Sequence, residues 1–157
     1  MRTLARLGEG RASAPSAGVI DRQSGKTHEG GVRGYAAGKK ALGRKRHLLV
    51  DVMGLILEVK VGPASVQDRD GAKLLLEPLR HRWSRLRKLW AAGGYAGKLE
   101  RWVSALRKNH RIEVEIVSRK QGVQGFHVLP RRWVVERTFA WLVKCRRLRC
   151  DYERLPQ

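Results

Sequence analysis

Residues Pro130 to Tyr152 read Pro-Arg-Arg-Trp-Val-Val-Glu-Arg-Thr-Phe-Ala-Trp-Leu-Val-Lys-Cys-Arg-Arg-Leu-Arg-Cys-Asp-Tyr. At 3.6 residues per turn, Glu136 shares its face with Arg132, Trp133, Phe139, Ala140, Val143 and Arg147, which places one acid in an apolar and basic stripe. Pro130 suits a first helical turn, where its missing N–H costs nothing, and no Gly or second Pro intervenes before Pro156. The stretch is therefore predicted as one helix, with Trp133, Phe139 and Trp141 in the core. Two roles stay open for Glu136. It is either half of an i,i+4 ion pair with Arg132 on a solvated flank, or a carboxylate held against the core to bind metal.

The segments upstream decide what this helix packs on. Ile112 to Ser118 alternates apolar and acidic residues as a strand does, and Lys98 to about Lys108 is predicted as a helix. Before it, the apolar run Leu86 to Trp90 ends in Ala91-Ala92-Gly93-Gly94-Tyr95-Ala96-Gly97. A strand that feeds a helix through a glycine-rich turn presents groups at the carboxyl edge of a sheet, here near position 92, where the residue is alanine. Tyr95 is left between packing under that turn and touching a partner. Asp68 and Asp70 precede Ala72 to Glu77, and one of them is expected to cap a helix reaching about Leu79.

Gly43 to Val61 reads as a strand pair turning through Met53-Gly54, with Asp51 in a turn role beside Gly54. Ser24 to Gly43 contains six glycines with His28, Tyr35, Lys39 and Lys40. That composition suits a mobile basic loop approached by a phosphate backbone, or a solvated loop with no partner. Gly18-Val19-Ile20-Asp21 reads as a brief buried strand with Asp21 at or just after its end. Residues 1–18 are expected to be a flexible lead-in, and 19–157 one folded domain. The element order is strand, hairpin, helix, strand, helix, strand, helix. That is the order of a ribonuclease H-like α/β fold, a mixed five-stranded sheet with helices on both faces.

Across 157 residues, 34 basic against 14 acidic side chains leave a formal charge of +20, so a polyanion is the expected partner, with nucleic acid first. The basic cluster of Lys39, Lys40, Arg44, Lys45 and Arg46 is the expected phosphate-binding surface. No apolar run has transmembrane length and Met1 opens no signal-peptide pattern, which favours a cytosolic protein over a membrane-bound one. Cys145 and Cys150 fall roughly 140° apart around a helix, unsuited to a disulfide or a zinc site.

Five blocks carry a family resemblance: Asp21-Arg22-Gln23-Ser24-Gly25-Lys26-Thr27, Gly43 to Asp51, Gln67-Asp68-Arg69-Asp70-Gly71-Ala72, Gly93-Gly94-Tyr95-Ala96-Gly97, and Pro130 to Trp141. In this order they closely resemble the DDE transposases of bacterial insertion sequences, in the insertion-sequence-five group, from about residue 11 to the end. The resemblance implies DNA transposition by phosphoryl transfer, with three carboxylates holding two divalent cations, Mg²⁺ or Mn²⁺. Asp21 falls on the family's first acid and Glu136 on its third, both as metal ligands. The second acid, directly before Gly-Gly-Tyr, is here Ala92. Arg132 matches a basic position used near the DNA strand being cut, and Lys144 is basic like its counterparts but lies well around the helix.

A methyl group cannot coordinate a cation, so the resemblance implies a catalytically impaired copy. Arg22 and Gly25 also depart from the family's usual Ser and Val. The family's upstream DNA-recognition region is expected to be missing, and the chain to stop soon after the last helix, as in a truncated or decaying copy. The alternatives are a non-catalytic DNA-binding remnant and, on charge alone, a basic structural RNA binder. Whether the protein forms a homodimer or pairs with an active transposase is left open.

Overall fold

The computed structural model describes residues 1–28, 30–106, 111–118, 129, 131–150 and 152. Its long central strand, Ala41–Asp51 (β3), explains the rest of the sheet. Leu48, Leu49 and Val50 are buried in succession because both faces of β3 are covered, so the strand reads as a continuous apolar run. β3 turns through Met53-Gly54 into the antiparallel strand Ile56–Pro63 (β4). Gly54 takes φ +90°, a left-handed conformation that L side chains resist, and Asp51 closes the turn. Its Oδ1 accepts the backbone N–H of Met53 at 2.9 Å and of Leu55 at 3.0 Å.

On its other side β3 pairs antiparallel with Ala17–Lys26 (β1), in register from Gly18 opposite Asp51 to Lys26 opposite Gly43. The first four residues of β1 also pair in parallel with Lys88–Ala92 (β5), which pairs in parallel with Glu113–Val117 (β6). A short strand, Gly34–Ala36 (β2), pairs with the start of β3. The described residues thus form a mixed sheet of six strands, one more than the sequence suggests. Helices Asp68–Leu76 (α2) and Lys98–Ser104 (α3) cover one face. There Leu75, Leu76, Leu99 and Val103 pack on Ile20, Leu49, Leu89 and Ala91. Helix Trp133–Leu142 (α4) covers the other, with Val134, Val135 and Phe139 against Val19, Leu48, Val50 and Trp90. This is a ribonuclease H-like α/β fold.

Several elements differ from the sequence-based expectation. β1 does not end near Asp21 but continues to Lys26, because the long β3 supplies hydrogen-bonding partners where the local sequence is polar. A Cβ at Gly43 would stand 2.0 Å from the Gly25 carbonyl oxygen, so the two strands approach here only because this residue is glycine. Within the expected basic loop, β2 is followed by a single 3₁₀ turn, Ala37–Lys39. In the expected flexible lead-in, Arg2–Gly8 form a helix (α1) that buries Arg6. Neither Asp68 nor Asp70 caps α2: Gln67 is its N-cap, with no side-chain cap, and Asp68 is the first helical residue.

The single C-terminal helix expected over 130–152 is divided. α4 ends at Leu142, Cys145 is extended, and a one-turn helix Arg146–Arg149 (α5) follows. The apolar stripe that holds α4 to the sheet runs out at that point, and Lys144, Arg146, Arg147 and Arg149 offer like charges with no apolar face to bury. Pro130 and most of the loop before it lie outside the described residues. Phe139 is in the core as expected, but Trp133 and Trp141 are 42% and 51% exposed, because α4 presents them on its flank while Val134, Val135 and Phe139 face the sheet.

Candidate active site

The parallel ladder of β1 and β5 ends at Ile20 opposite Ala91, so Asp21 and Ala92 are the next residues at the carboxyl edge, where α/β folds open a crevice. Side chains alternate along β1. Ile20 packs with the α2 and α3 cluster, while Val19 packs against α4, and Asp21, two residues on from Val19, lies toward α4 as well. Arg132, just before α4, reaches back to it. Its Nη2 stands 3.4 Å from Asp21 Oδ2 and 3.1 Å from Glu136 Oε1. One guanidinium nitrogen thus joins two acids that are 115 positions apart in sequence, and the i,i+4 pair that was one of the two readings of Glu136 is present. Asp21 is mostly enclosed, with 14% of its side chain exposed, whereas Glu136 is 45% exposed.

Asp21, Arg22, Asp68, Ala92, Gly94, Tyr95 and Arg132 line a cavity of about 280 Å³. Asp68, one of the two residues expected to cap α2, lines this cavity instead. Its Oδ2 accepts from Arg22 Nε at 2.8 Å and its Oδ1 from Lys45 Nζ at 2.8 Å. Burial opposes the charge of Asp68, but hydrogen bonds from Lys45 and Arg22 prevail and hold its pKa below the usual carboxylate value. Asp68 also reaches the glycine turn: a Cβ added at Gly94 would stand 3.2 Å from its Oδ2. Tyr95 packs under the turn, buried, and its hydroxyl has no hydrogen-bond partner among the described residues. Burial first, then the charges of Asp21 and Asp68, push its pKa up, so it stays a neutral donor facing acids.

Asp21, Asp68 and Glu136 are thus answered by Arg22, Lys45 and Arg132, a locally balanced set. Two dications need hard oxygen ligands, and three carboxylates are the minimum the family resemblance implies. Here position 92 offers a methyl group and a guanidinium lies between the other two acids, so the residues as placed do not fit a two-metal centre. Among the described residues no group of three or more His, Cys, Asp and Glu is arranged to hold a metal ion.

The expected DNA-facing cations divide. Lys39, Lys40 and Lys144 are exposed, and Lys39 lines a groove of about 550 Å³ that shares Arg22, Asp68 and Gly94 with the cavity. Arg44 and Lys45 are buried instead. Arg44 Nε donates to the Val32 carbonyl at 2.8 Å, and Lys45 Nζ to the Val66 carbonyl at 2.6 Å as well as to Asp68. Both belong to the central strand, whose faces are covered; Lys45, though mostly buried, still lines the groove that Lys39 borders. Arg46 is half-buried and donates to the Leu148 carbonyl, tying β3 to α5.

His47, next on β3, is buried against α2, where a Cβ at Gly71 would stand 2.2 Å from its Nε2. Its Nδ1 has no partner among the described residues. Burial, then the nearby charge of Lys45, lowers its pKa to about 4, while Asp68 opposes this and Arg22 adds to it. Between the ordinary value near 6.5 and about 4, the unfolded chain takes up a proton that the folded one refuses, so stability falls as pH drops through that window. The expected loss from pH 7 to pH 5 is about 2 kcal/mol in urea denaturation. His47→Gln should flatten this slope, and an equal loss in that variant would remove His47 as its source.

A ribonuclease H-like sheet with Asp21 at the end of the β1–β5 ladder and Glu136 on α4 defines the fold class. The sequence model of the Transposase DDE domain family matches residues 12–157, and the chain belongs to that family. It is similar to a putative transposase for insertion sequence element IS402 from Burkholderia cepacia, at 35% identity over 119 residues, covering 71% of this chain and 54% of that protein. The chain spans about half the length of this relative. Among solved structures, the cryo-EM structure of the piggyBac transposase synaptic complex with hairpin DNA superposes with a TM-score of 0.44 at 16% identity, covering 71% of this chain and 25% of that one.

Proposed function

We propose that this chain is the DNA-binding, ribonuclease H-like part of an insertion-sequence transposase whose strand cleavage is impaired at the position of Ala92. The observation that carries this reading is the placement of Arg132 between Asp21 and Glu136 beside Ala92. Mg²⁺ or Mn²⁺, the ions the resemblance implies, would meet only two of the family's three acids, Asp21 and Glu136, with Arg132 between them. What remains is a cationic surface. Lys39, Lys40, Arg69, Arg131 and Lys144 are exposed, and a chain of charge +20 attracts a phosphate backbone at long range. The groove that runs from Lys39 to Arg22 gives that backbone a path to the cavity. Among the described residues no helix is long and apolar enough to cross a membrane.

Phosphate contacts supply affinity by counterion release and carry no base information. Binding of the purified protein to duplex DNA should therefore be indifferent to sequence, and should weaken by orders of magnitude between roughly 50 and 200 mM salt if several phosphates are engaged. Plasmid nicking in the presence of Mg²⁺ or Mn²⁺ should be absent or very slow. Efficient metal-dependent nicking would overturn the impairment. Affinity that is flat with salt, or confined to one short sequence, would overturn the mode of binding. Salt-steep binding with no nicking at all is the result expected of a non-catalytic DNA-binding remnant.

A further inference from the structure

The geometry points to the flank of α4 carrying Trp133, Arg137 and Trp141 as a stacking surface for unpaired DNA bases. The three residues are spaced i, i+4, i+8 and so fall in one line along the helix. Arg137 lies between the rings, its guanidinium carbon 4.4 Å from the centroid of Trp133 and 4.8 Å from that of Trp141. Its Nη2 donates to the Met53 carbonyl at 2.9 Å, which pins the guanidinium to the β3–β4 turn. Cation–π attraction from a fixed cation orders both rings before any ligand arrives. Yet Trp133 is 42% and Trp141 51% exposed. Two large aromatic side chains are thus held rigid and left open to solvent, which the packing of α4 on the sheet does not require.

The surroundings decide the occupant. Lys144 and the arginines of α5 follow this flank and are exposed, so the partner is anionic. A paired duplex hides its base faces, while a single strand offers both phosphates and aromatic planes, and base–aromatic stacking is tolerant of sequence. With the Arg137 guanidinium 4.4 Å from one ring and 4.8 Å from the other, it fills the space between them, so the rings offer their outer faces to two separate bases rather than clamping one. Trp133 adjoins Arg132, which contacts Asp21, so a strand held here reaches the cavity edge. The inference rests on the DNA-binding reading above and adds that the protein distinguishes unpaired from paired DNA.

The test compares three fluorescent ligands at one salt concentration: an oligothymidylate, an abasic strand of equal length and a duplex. The parent should bind the oligothymidylate at least on the order of tenfold more tightly than the abasic strand, since the two share their phosphates and differ only in bases. Trp133→Ala and Trp141→Ala should each remove about tenfold of oligothymidylate affinity and leave the abasic strand and the duplex unchanged, while Trp→Tyr at either position should retain most of it. Equal affinity of the parent for the two single strands overturns the inference without any variant having to fold. If duplex binding then remains steep in salt, the DNA-binding reading survives alone, and no binding to any of the three ligands sinks both. An equal loss on all three ligands in the Trp→Ala variants, or self-association that depends on the two tryptophans without nucleic acid, also overturns it, the latter by assigning the flank to a protein partner.

Discussion

Arg6→Ala is expected to destabilise the protein by about 3–5 kcal/mol, a large share of the roughly 5–15 kcal/mol available to a domain of this kind. Arg6 and Asp51 form a buried ion pair, with only 5% and 0% of their side chains exposed. Arg6 Nε also donates to the Ala12 carbonyl at 2.8 Å, so one side chain fastens α1 and the chain after it to the end of β3. Truncating it leaves a carboxylate in the interior with no cation, and that penalty, rather than the intrinsic worth of the pair, sets the size of the effect. Asp51→Asn added to Arg6→Ala should recover much of the loss. Asparagine keeps an oxygen for the Met53 and Leu55 N–H groups and removes the uncompensated charge. Urea denaturation of the three proteins measures both steps. A single variant within about 1 kcal/mol of the parent would place the pair in the class of solvated surface bridges and exclude a buried staple.

The turn role of Asp51 was legible in sequence because it is local: an acid three residues before a glycine in a hairpin. Its pairing with Arg6 was not, since an ion pair between residues 45 positions apart has no periodicity to detect. The same distinction separates the other elements. The hairpin, the strand before the Gly-Gly turn and the alternating strand at 113–117 announce themselves through apolar pattern and glycine, so the sheet could be assembled from sequence. Asp68 could not be placed at the cavity, because its local setting before an apolar run is what a capping residue has, and only the fold brings Arg22 and Lys45 to it. The burial of Arg44 and Lys45 was hidden in the other direction. A run of three cations suggests a solvated surface, but the central strand of a sheet covered on both faces buries even basic residues when carbonyls and Asp68 are within reach. The helix at 130–152 was read too long because no Gly or Pro marks its end. The break after Leu142 comes from the loss of an apolar face, a tertiary cause.

Ala92→Asp is expected to make divalent ions stabilise the domain well beyond the weak effect expected in the parent. Ala92 lines the cavity with Asp21 and Asp68, so an aspartate there adds a carboxylate beside two others, with Arg22 and Arg132 as cations of the same lining. Without metal the new acid is repelled by its neighbours, and the variant should melt slightly below the parent in chelator. With Mn²⁺ the order should reverse, because an ion that binds only the folded state stabilises it by mass action, about 2.7 kcal/mol at a hundred times the dissociation constant. For a chain of this size that is on the order of 5–10 °C in melting temperature, against little or no shift in the parent. The same variant should then be assayed for plasmid nicking. If Mn²⁺ raises the melting temperature of Ala92→Asp no more than that of the parent, position 92 does not face a metal site and the assignment of Asp21 and Glu136 as its other ligands falls with it. If stabilisation appears without nicking, the ligand set is complete and the fault lies elsewhere, with Arg22 first in view: its side chain is engaged with Asp68 at the cavity wall, where the family resemblance places a serine.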